Sequence, residues 1–120
     1  MRFYRRHAVA IFWVMVAIVY ALAIMPSKQA PNFGAGDKIN HISAFLTLTL
    51  LGRRAYRHDA AWRLGLGLSL FGALVEFTQA IPALNRDASA WDWVADSLAI
   101  LLMLAICLAV EKRRSDHAAA

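Results

Sequence analysis

The stretch AVAIFWVMVAIVYALAIM, residues 8–25, contains 18 consecutive residues without a charge. At a rise of about 1.5 Å per residue, a helix of this length reaches about 27 Å, close to the thickness of the hydrocarbon core of a bilayer. Further apolar runs follow at 37–52, 64–81 and 91–110, separated by short polar loops. The sequence therefore predicts an all-α membrane protein, a four-transmembrane-helix bundle.

Composition agrees with this fold class. Hydrophobic residues make up 60% of the 120 residues, and the mean hydropathy is +0.48, whereas soluble domains contain about 45–50% apolar residues. We predict a single membrane domain over residues 1–114 and a disordered tail over 115–120. The basic start and the Ala21-Leu22-Ala23 tripeptide also resemble a signal peptide. The apolar run continues to Met25, which favours a retained span.

The distribution of Lys and Arg predicts the orientation. With four spans, both termini lie on the same side as the second loop, and that side carries ten of the 13 basic residues. The other side carries Lys28, Lys38 and Arg86. The positive-inside rule places the basic side, and so both termini, in the cytoplasm. Topology accounts for the net charge of +5, so no nucleic acid is expected as a partner.

Polar residues collect in the predicted outer half of the bundle. They form pairs at i,i+3 or i,i+4, each on one face of its helix: Asp37 with His41, Glu76 with Gln79, and Asp92 with Asp96. A charge in the membrane costs about 2.5–3.5 kcal/mol at the centre of a span, and such residues mark functional sites by default. We predict a ligand-binding site open to the outer leaflet, built from Asp37, Lys38, His41, Glu76, Gln79, Arg86, Asp92 and Asp96.

Three motifs in this region occur in a recognisable order. Residues 37–45 read DKINHISAF, residues 76–79 read EFTQ, and residues 86–92 read RDASAWD. They resemble the DKxxHxxxF, ExxQ and RxxSxxD motifs of the VanZ-like family of small bacterial membrane proteins. The resemblance runs from Asp37 to about Ala99, roughly half of the chain. The three motifs together are more specific than any one of them.

The resemblance implies a multi-pass protein of the bacterial cytoplasmic (inner) membrane, and so of the cell envelope. The founding member of the family is associated with low-level resistance to teicoplanin, which implies an influence on glycopeptide susceptibility. Resistance does not follow for this chain from family membership alone. The family often has Asn at the position of Asp96 and Gly near Ala99. An extra carboxylate at Asp96 changes the charge or proton affinity of the site.

The predicted site leaves several functions open. As a binding module, Lys38, Arg86 and His41 would bind the phosphate of a membrane lipid or a lipid-linked cell-wall precursor. As an enzyme acting on a lipid phosphate, His41 and Glu76 would be the catalytic acid–base pair, or would hold a divalent metal as cofactor with the other carboxylates.

As a structural or partner-binding subunit, the protein would use the same side chains as interhelical contacts, which contribute about 0.6 kcal/mol each. A proton- or ion-coupled transporter is the remaining interpretation; four short helices make a small transporter unless the chain forms a homo-oligomer. No motif with a Ser or Cys nucleophile and no HExxH motif fixes a reaction class.

Overall fold

Helices account for nearly all of the chain that the computed structural model describes, which comprises residues 2–25, 36–84 and 90–119. The α-helices in these ranges are α1 (Arg2–Ile24), α2 (Gly36–Ala55), α3 (Ala61–Gln79) and α4 (Ala90–Ala119). A 3-10 turn spans Pro82–Leu84. The all-α fold class is therefore confirmed, with one helix for each predicted span.

The least apolar helix, α2, lies at the centre of the bundle. It packs most extensively against α4 and α1, while α3 packs mainly against α4. Phe45 and Leu48 of α2 are fully buried, and so is Thr49, whose hydroxyl donates to the Phe45 carbonyl at 2.6 Å. Because its neighbours enclose much of it, α2 can carry polar residues that lie away from the outer surface of the bundle.

The outer helices expose their apolar side chains. On α3, Leu66, Leu70, Leu74 and Phe77 lie at successive helical turns and are all at least half exposed. Only 6% of the apolar segment of α1 and 22% of that of α4 are buried. A soluble bundle buries such faces against its core. This bundle buries Thr49, Gln79 and Asp96 together with an apolar core, and it exposes many large apolar side chains, a pattern suited to lipid.

Two helices are long and apolar enough to cross a membrane by length and composition, at Tyr4–Ile24 and Ala90–Ala118. They contain the predicted spans 8–25 and 91–110 almost entirely. The helices α2 and α3, which correspond to the predicted spans 37–52 and 64–81, do not meet the same criterion among the described residues. The helix α2 is the least apolar of the four, and α3 carries Arg63 and Glu76 within its 19 residues.

The last helix extends well beyond the predicted span. It continues through the basic segment after Val110 and ends at Ala119, so most of the tail that was predicted to be disordered is helical. Lys112 and Asp116 form an opposite-charge pair at i,i+4, and Ala118 and Ala119 have the highest helix propensity of any residue type. These local interactions favour a helix although the residues from Lys112 to Ala118 are exposed.

Candidate functional site

Three ionisable side chains from three helices meet near one end of the bundle. They are His41 of α2, Glu76 of α3 and Asp96 of α4, and one nitrogen or oxygen atom of each lies within 4.8 Å of the others. His41 and Asp96 lie in the second turns of their helices, whereas Glu76 lies in the last turn of α3, which runs the opposite way. The structure thus brings together one member of each pair found in the sequence. We call these three residues the acidic cluster.

Asp96 is the most deeply buried residue of the acidic cluster. It is 0% exposed, and neither carboxylate oxygen has a hydrogen-bond partner among the described residues. Its Oδ2 lies 3.7 Å from Nδ1 of His41, which is too long for a hydrogen bond. That imidazole nitrogen is also buried without a hydrogen-bond partner in the described part of the chain. Two buried polar groups therefore face each other across a gap.

A buried carboxylate without donors is unfavourable unless a positive charge or a proton neutralises it. His41 is close enough to supply part of that charge when it is protonated. Glu76, however, places a second carboxylate within the same 4.8 Å. The described side chains of the acidic cluster therefore offer more negative than positive charge.

Other polar groups between the helices are paired. Gln79, which is 3% exposed, donates through Nε2 to the carbonyl of Ala23 at 3.0 Å. The hydroxyls of Tyr20 and Thr78 lie 2.9 Å apart, and those of Ser69 and Ser97 lie 3.0 Å apart. These contacts are the interhelical hydrogen bonds that a purely structural role requires, and Asp96 has none of them.

The remaining residues of the predicted site lie elsewhere. Gln79 is directed to the end of α1 through its bond to Ala23, and Asp92 is half-buried but is not a member of the acidic cluster. The side chains of Asp37 and Lys38, and the whole of Arg86, fall outside the described residues. Their predicted part in the site stays a prediction.

An ion pair at the other end of the bundle was missed by the sequence analysis. Arg53 at the end of α2 donates through Nε to both carboxylate oxygens of Glu111 on α4, at 3.0 and 3.3 Å, and through Nη2 at 3.2 Å. Its Nη1 donates to the carbonyl of Asp59 at 2.8 Å. In the sequence, the one feature that could have indicated this ion pair is that Glu111 is an acidic residue directly before the basic run 112–114.

A cleft of about 350 Å³ lies at this same end, between α1 and α3. Its walls are mostly apolar, and Tyr56, Asp59 and Arg63 contribute polar atoms. It contains no residue of the acidic cluster. The cleft and the acidic cluster are therefore separate features of the bundle.

No family model, curated protein or solved structure matches this chain. The resemblance to the VanZ-like family accordingly stays a prediction from the three motifs.

Proposed function

We propose that the protein is a VanZ-like, multi-pass protein of the bacterial cytoplasmic membrane, with four spans and both termini in the cytoplasm. The exposed apolar faces of α1, α3 and α4 support this proposal, and so does the excess of Lys and Arg on one side. The modest hydropathy of α2 fits a span that contacts protein more than lipid. At about 1.5 Å per residue, the 20 residues of α2 reach about 30 Å.

In this orientation the acidic cluster lies in the outer half of the membrane, and we propose that it forms the floor of a site for an anionic lipid headgroup. The observation that most directly supports this proposal is that His41, Glu76 and Asp96 converge from three helices. The ligand class is a phospholipid or a lipid-linked cell-wall precursor, both of which present phosphate at this depth. Lys38 and Arg86, from the predicted outer side, supply positive charge. An effect on glycopeptide susceptibility would follow from binding a wall precursor.

The acidic cluster also favours a second function, an enzyme acting on a lipid phosphate. His41 lies 3.7 Å from the buried carboxylate of Asp96, and a histidine that such a carboxylate orients through a hydrogen bond, which can tighten when substrate binds, is a common general base. In this function His41 and Glu76 are the catalytic residues. Release of phosphate from a lipid substrate by the wild type, lost in His41→Ala, would distinguish the enzyme from the binding module.

The structural interpretation is less well supported. Interhelical contacts stabilise a bundle when their polar groups are satisfied, and the two oxygens of Asp96 have no hydrogen-bond donor among the described residues. If the protein were a partner-binding subunit without a ligand, replacing Asp96 by an apolar residue would cost nothing in function.

Lipid retention tests the proposed function. We expect the wild type, purified in mild detergent, to retain an anionic lipid that native mass spectrometry identifies. Lys38→Ala and Arg86→Ala should lose it. Arg57→Ala and Arg114→Ala remove the same charge on the predicted cytoplasmic side and should keep it. Equal retention by all four variants, or no lipid on the wild type, would refute the proposal.

A further inference from the structure

The donor atoms of the acidic cluster match a metal centre in type and spacing. An imidazole nitrogen and two carboxylates suit divalent first-row transition ions. Ligands about 2.1 Å from a tetrahedral ion lie about 3.4 Å from one another. Nδ1 of His41 and Oδ2 of Asp96 are 3.7 Å apart, and all three donors lie within 4.8 Å. Small rotations of the carboxylates would bring them into coordination distance.

The burial of Asp96 points independently to a ligand. Its side chain is 1% exposed, and neither oxygen has a hydrogen-bond partner in the described ranges. Nδ1 of His41, which faces it, is likewise buried without such a partner. A cation between these atoms would satisfy the carboxylate and the nitrogen together, which no described hydrogen bond does.

A divalent ion would match the charge of these donors. With His41 neutral and both carboxylates ionised, the donors would carry two negative charges, which one divalent ion would cancel. An anion in direct contact with these carboxylates would be repelled. The three donors also lie on three different helices, and rigid elements hold coordination geometry more closely than loops do.

We infer that His41, Glu76 and Asp96 bind one divalent transition-metal ion, with Zn²⁺ and Mn²⁺ as the ions of matching ligand preference. Three protein ligands leave a coordination position open. If the proposed function holds, on which this last step rests, that position faces a phosphate oxygen of the lipid headgroup. The metal thereby explains how an acidic cluster could take part in an anion site.

The test uses the full chain, purified in detergent without a polyhistidine tag, stripped with chelator and reloaded with Zn²⁺ or Mn²⁺ alone. We expect about one tightly bound ion per chain by elemental analysis and titration calorimetry. Asp96→Asn, which preserves side-chain shape, and His41→Ala should each weaken binding at least about tenfold. Asp59→Asn, which removes an exposed loop carboxylate, should bind as the wild type does. X-ray absorption of the zinc form should show nitrogen and oxygen ligands without sulfur.

A wild type that retains less than a tenth of an equivalent, or variants that bind as tightly as the wild type, would overturn the inference. The wild-type stoichiometry and its ligand spectrum decide the matter even if a variant fails to fold. Lipid phosphate measured on the same samples separates the two proposals. A wild type that retains lipid but takes up no metal on reloading overturns the metal site alone, whereas one bound metal without lipid overturns the headgroup site alone.

Discussion

Removing the carboxylate of Asp96 should change the stability of the protein in opposite directions without metal and with metal. Because Asp96 is buried without hydrogen-bond donors in the described chain, Asp96→Asn should unfold at the same or a higher temperature than the wild type in chelator at pH 8. A gain of up to about 1 kcal/mol is expected. With Zn²⁺ at a hundredfold excess over its dissociation constant, the wild type should gain about 2.7 kcal/mol. The variant should gain far less.

Thermal unfolding in detergent, followed by intrinsic tryptophan fluorescence, measures both conditions. A wild type that is more stable than Asp96→Asn in chelator, and that zinc does not stabilise further, would indicate a structural carboxylate. The interhelical interpretation would then replace the metal site.

A substitution at Gln79 tests whether this residue is structural or binds a ligand. Its amide donates to the carbonyl of Ala23 near the end of α1, so Gln79→Leu should remove a buried hydrogen bond. We expect a loss of about 1 kcal/mol in stability and unchanged zinc affinity. Unfolding in denaturant and calorimetry on the same sample would show this. If Gln79→Leu lost zinc binding at unchanged stability, Gln79 would be a metal ligand and not a structural residue.

Two glycines form a matched pair for the packing of the helices. A Cβ on Gly52 would lie 2.7 Å from Cδ1 of Leu64 and 2.8 Å from Cε1 of Phe12, whereas a Cβ on Gly67 would meet nothing within 4 Å. Gly67→Ala should therefore stabilise the protein by up to about 1 kcal/mol through helix propensity. Gly52→Ala should lie about 1–3 kcal/mol below it because of overpacking. Equal melting temperatures for the two variants would contradict this packing.

The ion pair of Arg53 with Glu111 ties α2 to α4. The side chain of Arg53 is 12% exposed and that of Glu111 is 38% exposed, so replacing the carboxylate by a neutral amide removes the counter-charge of a largely buried guanidinium, which keeps its bond to the Asp59 carbonyl. Glu111→Gln should cost about 1–2 kcal/mol without affecting zinc affinity. Thermal unfolding at low and high salt would measure it. Zinc affinity that falls in Glu111→Gln would mean that the two ends of the bundle are coupled.

The sequence supports the number, type and order of the helices because each follows from an apolar run between polar loops. It also supports the meeting of His41, Glu76 and Asp96, because antiparallel helices place their positions at one depth. The sequence does not predict the hydrogen-bond partner of Gln79, because that partner depends on the orientation of α1 about its axis relative to α3. The pairing of Arg53 with Glu111 likewise depends on how α2 packs against α4, because the two residues are 58 positions apart along the chain.

Whether α2 and α3 cross the membrane is a property of the whole molecule. The side of the membrane on which His58 lies distinguishes the two possibilities. If all four helices span, the loop between α2 and α3 is cytoplasmic. If only α1 and α4 span, that loop is outside, together with positions 27 and 85. In a Cys107→Ala background, we therefore introduce single cysteines by Ser27→Cys, His58→Cys, Asn85→Cys and Ser115→Cys. A membrane-impermeant maleimide is then applied to bacterial spheroplasts.

We expect labelling at positions 27 and 85 in intact spheroplasts, and at 58 and 115 only after permeabilisation. Labelling at 27, 58 and 85 without permeabilisation, with 115 still protected, would reduce the protein to two spans. The acidic cluster would then lie outside the membrane, where burying a carboxylate costs less because water lies nearby. The proposed headgroup site would lose its position in the outer leaflet, whereas the metal site, which depends only on three neighbouring side chains, would stand.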